Sequence, residues 1–234
     1  MNAFLTQLKW QFVLLHKNNI IRISLGVTMV YGVLLFFLRN VGSLDELLVA
    51  LVLNDPSIIG YFFIGIAIYT EIKHQILPAV LVTPVNVHQL LISRVTALAC
   101  IGVICSLGLA ISVKGFNFDI LSFTAGALSI CILSALLGII MLTYASEFLK
   151  FTMLSVPIFL VFINLPLLQY LGVVDLGMVK YFLPIQGSLD LIDFSVRGTE
   201  INLMLSYLTI VVFIPVFYLL ALRRFSKKLV SKEV

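Results

Sequence analysis

The sequence predicts an all-α integral membrane protein in which an N-terminal amphipathic interfacial helix precedes six transmembrane helices. Three observations predict it. Of 234 residues, 61% are hydrophobic and only 11% are charged, with a mean hydropathy of +1.15, which leaves too little polar surface to cover a soluble core. Six blocks contain no Asp, Glu, Lys or Arg: residues 23–38, 56–70, 95–113, 120–146, 151–171 and 203–222. At about 20 residues per crossing, five of these suffice alone or with their flanks. The basic residues supply the orientation. With the N-terminus inside, eleven of the fifteen lie in the cytoplasm, and the two sides carry +8 and −4. Both termini are therefore expected to be cytoplasmic.

Residues 1–17 lack the long apolar stretch and small-residue cleavage site of a signal peptide. Phe4, Leu5, Leu8, Phe12 and Leu15 recur at helical spacing, with Gln7, Lys9 and Gln11 elsewhere on the wheel. That pattern describes a helix lying in the inner interface, with Trp10 at headgroup depth. After the first span, the apolar run of residues 47–53 ends at Asn54-Asp55-Pro56. Asp55 followed by Pro56 reads as an N-cap and first helical position, so the second span is expected to start there. It reaches spanning length by continuing through Glu71 towards Leu77, where Pro78 stops it. Residues 114–119 make a turn between the third and fourth spans, and residues 147–150 join the fourth to the fifth. Residues 172–202 form the longest external segment, and its middle, YFLPIQGSLDLIDF, is apolar enough to be partly re-entrant. The basic stretch from Arg223 to Lys232 suits anionic lipid headgroups, so the net charge of +4 is no sign of nucleic-acid binding.

Within the spans, Ala127, Cys131 and Ala135 repeat every fourth residue, a small-residue stripe that lets another helix approach closely. Pro157 and Pro215 are expected to kink the fifth and sixth spans. Asn164, beside Pro166, places an amide at membrane depth that needs a partner in a helix interface or an aqueous path.

With spans read as uncharged, the residues of ion or proton coupling are missing. No GxSxG, HExxH or paired acids occur, so catalytic residues are assigned to none and the chain is not read as an enzyme. The three histidines, His16, His74 and His88, fall at the cytoplasmic boundary, and no Cys/His pair has ligand spacing on one face, so no metal site is expected. A GxxxxGK[ST] phosphate loop is also missing, so any ATP is used by a partner.

Between the second and third spans lies TEIKHQILPAVLVTPVNVHQLLISR, residues 70–94. After Pro78 there is room for barely one helical turn before Thr83-Pro84 ends it, because the residue before proline is driven out of the helical region. Ile72, Ile76, Leu77, Val80 and Leu81 can share an apolar side, with Glu71, Lys73, His74 and Gln75 at the polar start. Such a knob, carried on two spans, can be a membrane-surface turn or the element a soluble motor grips.

This segment resembles the coupling element of type-2 ABC exporter permeases: Glu71, Leu77, Thr83-Pro84 and LLISR (residues 90–94) match in order, with Gln75-Ile76 in place of the usual Gly-Thr. LKWQF (residues 8–12), NDPSIIGYFFIG (residues 54–65) and YFLPIQGSLDLI (residues 181–192) are similar to the fluoroquinolone-exporter branch of those permeases. The resemblance covers essentially the whole chain. It implies a single permease domain that pairs with a second permease copy or paralogue. It also implies a separate P-loop ATPase, which holds the ATP and Mg. Motor coupling would fall to residues 71–86, notably Glu71, Lys73, His74, Leu77, Pro78, Leu81, Thr83 and Pro84. The second and fifth spans would line the translocation path with Tyr61, Phe62, Ile66, Phe159, Phe162 and Asn164. An aromatic, apolar path suits amphiphilic drugs, lipids or peptides better than sugars or ions. The alternative reading is a non-transporting membrane anchor, or an immunity or sensor subunit, of an ATPase complex.

Overall fold

A computed structural model describes residues 3–38, 44–81, 86–145 and 147–230, and among them every regular element is helical. Six helical segments are long and apolar enough to cross a membrane. Helix α1 (Ala3–Lys17) is followed by a reversal at Asn18-Asn19, where Asn19 takes φ +58°, and the first span α2 (Ile20–Leu38) begins at once. An asparagine tolerates that left-handed conformation better than most side chains. On α1, Leu14, Leu15 and also Gln11 are buried, and the helix packs on the third span; Trp10 is exposed. Gln11 thus lies on the packed side of the wheel rather than on its polar side.

The second span is α3 (Asp45–Lys73), and it departs from expectation at both ends. It does not start at Pro56. Leu48, Val49, Val52 and Leu53 are all fully buried, and their packing carries the helix through the Asp-Pro step, so Asp55 and Pro56 lie inside it and are buried. Ser57 Oγ donates to the Leu53 carbonyl and Asn54 Nδ2 to that of Ala50, supplying side-chain donors beside the proline that has none. Nor does Pro78 end the span. The helix stops at Lys73, Gln75 turns the chain with φ +58°, and Pro78 falls in the first turn of a new short helix α4 (Ile76–Leu81), where no intrahelical N–H is needed.

The third span α5 (Val87–Lys114) is capped by Asn86, whose side chain accepts the His88 N–H, and it ends at Gly115 with φ +63°. Asp119 caps the fourth span α6 (Ile120–Leu142) by accepting from Leu121 N–H and Ser122 Oγ. The fifth span is α7 (Phe148–Phe159), a π-helical turn (Leu160–Asn164) and α8 (Leu165–Tyr170). In that turn Leu165 N–H reaches back five residues to the Leu160 carbonyl, between Pro157 and Pro166. A 3₁₀ turn (Gly177–Phe182) leads to α9 (Gln186–Arg197), and α10 (Leu203–Val230) is the sixth span.

Helices α3, α5 and α6 form the centre, and α6 is the most buried span of all. The small-residue stripe is at its heart: Ala127, Cys131 and Ala135 are fully buried. A Cβ on Gly60 of α3 would run into the Cys131 carbonyl, and one on Gly138 of α6 would lie 2.5 Å from the Tyr61 carbonyl. Backbones this close leave no room for side chains, and in lipid such packing replaces the missing hydrophobic drive. Around this centre α2 lies on α5, α10 lies on α6, and the fifth span touches α3 and α6 lightly. Helix α9 inserts between α6, α10 and α3 at the end of the bundle away from α1. Its Ser188 Oγ lies 2.9 Å from Ser129 Oγ, nine residues into α6 and so about 14 Å along it. Arg197, at the outer end of α9, reaches Tyr170 OH at 3.2 Å and Glu46 Oε1 at 3.3 Å.

Candidate functional site

Two groups of sequence-predicted residues can be placed. The first surrounds the α3–α4 junction. Glu71, in the last turn of α3, is buried and forms an ion pair with Arg94 of α5, which is buried as well. The pair is incompletely satisfied: Glu71 Oε1 and Arg94 Nε and Nη1 have no hydrogen-bond partner among the described residues. Lys73 and His74 are exposed beside it, whereas Leu77 at the start of α4 is buried, with Ile72 and Val80 packed against the same core. The junction therefore offers a polar surface at Lys73–His74 and an apolar underside seated on the bundle. Pro78 and Leu81 belong to α4 by their backbone, and Thr83 and Pro84 lie outside the described residues.

Glu71 and Arg94, together with Asp55, also correct the reading of the spans as uncharged. Asp55 is ten residues into α3 and buried, and its Oδ2 accepts from Thr28 Oγ1 of α2 at 3.3 Å.

The second group is aromatic. Tyr61 is fully buried, with ring centroids 5.1 Å from Phe62, 5.5 Å from Phe159 and 6.0 Å from Phe151; Phe62 and Phe159 lie 5.2 Å apart. Three of the predicted path residues thus form one cluster. Phe162 faces away from it to Phe217 of α10, at 5.5 Å. Ile66 lines a separate shallow hollow of about 170 Å³ with Tyr69, Thr70, Lys73 and Phe148. The half-exposed amide of Asn164, inside the π-helical turn, makes no hydrogen bond among the described residues. Turns of this type inside α-helices concentrate at functional positions.

Sequence reasoning missed Phe151. Its ring lies over Gly65 so closely that a Cβ there would sit 2.5 Å from Cε1. The signal was Gly65 itself, a glycine on the predicted path helix that needs a bulky neighbour to fill its place.

At the end of the bundle that holds α1, Lys228 Nζ donates to the carbonyls of Leu142 (3.0 Å), the last residue of α6, and of Ala145 (2.6 Å), three residues beyond it. Arg224 lies over the Tyr144 ring at 5.3 Å. At the opposite end Asp190 of α9 accepts from Gln186 Nε2 at 2.8 Å, and burial pushes its carboxyl above the usual range despite that bond.

Residues 2–233 match a family model described as the fluoroquinolones export permease protein family. Two curated relatives, from Mycobacterium tuberculosis strains CDC 1551 / Oshkosh and ATCC 25618 / H37Rv, both carry the name fluoroquinolones export permease protein. Each is 28% identical over 140 residues, which cover 59% of this chain and 58% of the relative. The matched stretch is thus less than two thirds of either relative.

Proposed function

Because the chain belongs to the fluoroquinolones export permease family and is a multi-pass membrane protein, we propose that it is the membrane subunit of an ATP-driven ABC exporter. In this reading the cargo is a hydrophobic or amphiphilic compound leaving the cytoplasm or inner leaflet. The observation that carries it is the family match across nearly the whole chain. ATP and Mg belong to a separate P-loop ATPase, and a second permease, identical or related, completes the path. Both chain termini and α4 face the cytoplasm.

The α3–α4 junction supports a mechanical role. A motor pressing on Lys73, His74 and the α4 surface acts at the last turn of α3, and the Glu71–Arg94 pair ties that turn to α5. Glu71 is thereby a positioning residue: buried, it passes displacement between two spans rather than meeting the motor itself. From there the α3–α6 contact at Gly60 and Gly138 binds the third central helix into the same movement. The fifth span, lightly held and interrupted by its π-helical turn, is the part free to shift against this block. Its Phe159 and the Tyr61–Phe62 face then open or close an aromatic passage.

The test is gentle solubilisation of the tagged chain with identification of co-purifying proteins, followed by ATP-dependent uptake of amphiphilic dyes into inverted vesicles. A stoichiometric P-loop ATPase with uptake supports the exporter; a bound ATPase without any flux identifies a non-transporting anchor. Loss of the ATPase from a folded preparation would remove the motor and with it the reading.

A further inference from the structure

An apolar groove of about 400 Å³ runs between α2 and α5, its wall formed by Leu25, Phe36, Gly32 and Gly108 and its polar points by Thr28 and Ser112. There is free space beside Gly32 and Gly108: a Cβ on either would only reach ordinary contact distance, 3.8 Å from Ser112 Oγ and from Thr28 Cγ2. Thr28 is nine-tenths buried, and its hydroxyl lies 2.9 Å from the Ser24 carbonyl and 3.3 Å from Asp55 Oδ2. The groove therefore has a carboxyl group immediately behind its floor. Asp55 stands about 15 Å into α3, and no basic side chain pairs with it among the described residues.

An acid so placed is costly in a membrane unless a proton or a cation compensates it. Glu71 has Arg94, Asp45 has Lys114 and Asp193 has Arg197. Among the described residues Asp55 has only the threonine. The one Thr28 hydroxyl proton serves the Ser24 carbonyl or Asp55, which leaves the oxygen, on the groove lining, able to accept from a ligand N–H with the carboxyl group directly behind it. The apolar length of the groove takes a hydrocarbon body.

We propose that the α2–α5 groove is a binding site for amphiphilic amines, with the ammonium group at Thr28 and its charge balanced by Asp55. The site is separate from the aromatic cluster of α3 and the fifth span, and it binds whether or not a motor is attached. It goes beyond the export reading by assigning a cationic class of ligand.

The experiment uses the full chain in phosphatidylcholine nanodiscs, without ATP or partner. Two photoreactive probes are compared, a diazirine-bearing dodecyl primary amine and the corresponding dodecyl alcohol, with labelled residues located by mass spectrometry. The amine is expected to label residues 25–36 and 108–112 at least about fivefold more than the alcohol, since an uncompensated charge at this depth discriminates strongly. Asp55→Asn should reduce the amine to the level of the alcohol. Gly32→Leu, which leaves Asp55 in place and fills the groove, should remove labelling by both probes from a protein with unchanged elution and melting. Equal labelling by amine and alcohol in the unaltered chain, as for a groove that holds lipid tails alone, would overturn the proposal. So would an amine preference that survives Asp55→Asn.

Discussion

Replacing one member of the Glu71–Arg94 pair should damage the protein far more than replacing both. The two side chains are each 2% exposed, so Arg94→Met strands a carboxylate and Glu71→Met strands a guanidinium in the α3–α5 contact. Removing one partner of a buried pair costs about 3–5 kcal/mol, because the survivor keeps its desolvation penalty without its compensation. The pair as it stands is far from ideal. Glu71 Oε1, Arg94 Nε and Arg94 Nη1 are buried without partners among the described residues, at about 1–3 kcal/mol each for unsatisfied groups. The double variant Glu71→Met/Arg94→Met discards these penalties along with the Coulomb attraction, so its stability should return to within about 1 kcal/mol of the parent or exceed it. The assay is a double-mutant cycle on unfolding in mild detergent, read by Tm and by denaturant titration, with a coupling energy of at least about 5 kcal/mol expected. Transport measured in the same variants should follow a different order, with the stable double variant remaining uncoupled because the polar tie between α3 and α5 is gone. Single variants that lose less than about 1 kcal/mol, with additive effects in the double, would refute the argument that the pair is buried and mutually dependent.

Other consequences are simpler to state. Gly60→Ala should lower stability by about 1–3 kcal/mol, since its Cβ meets the Cys131 backbone and neither helix can yield; a shift in Tm reads this directly. Gly65→Ala should be destabilising alone and largely rescued by Phe151→Leu, because the obstruction is a side chain rather than backbone. Asp190→Asn should reduce the pH dependence of stability. The folded protein holds this carboxyl above its ordinary range, so its contribution favours the folded state at low pH and is lost as pH rises through the elevated value. Tm followed from pH 4 to pH 8 should therefore fall less across that range in the variant. Arg197→Ala, removing a partly exposed clasp, should cost no more than about 1 kcal/mol by the same measurement.

Charge-free blocks located five of the six spans, since water-to-lipid transfer acts on composition over about twenty residues and needs no partner, whereas the block of the second was short and both its ends were misplaced. The stripe of Ala127, Cys131 and Ala135 was legible for a similar reason: close approach requires small side chains whatever the neighbour is. Asp55 was misread because Asp-Pro is locally a good helix start, and only the burial of Leu48, Val49, Val52 and Leu53 carries the helix past it. The Glu71–Arg94 pair joins residues 23 positions apart across a helix break, a contact that no local pattern encodes. Of the aromatic site, Tyr61, Phe62 and Phe159 were found from resemblance and do converge, whereas Phe162 turns to α10 because the π-helical turn rotates the chain between them.

The unequal lengths of the spans have a bearing on the surrounding membrane. At 1.5 Å per residue, the 29 residues of α3 extend about 43 Å, while the 19 described residues of α2 extend about 28 Å, against a hydrocarbon core near 30 Å. The short outer helix fits upright; the long central one must lean or protrude. A thicker bilayer would stretch the match for α2 and relieve that of α3, pulling the periphery against the centre. Membrane thickness therefore acts on this protein as a mechanical load, felt first at the α2–α5 seam.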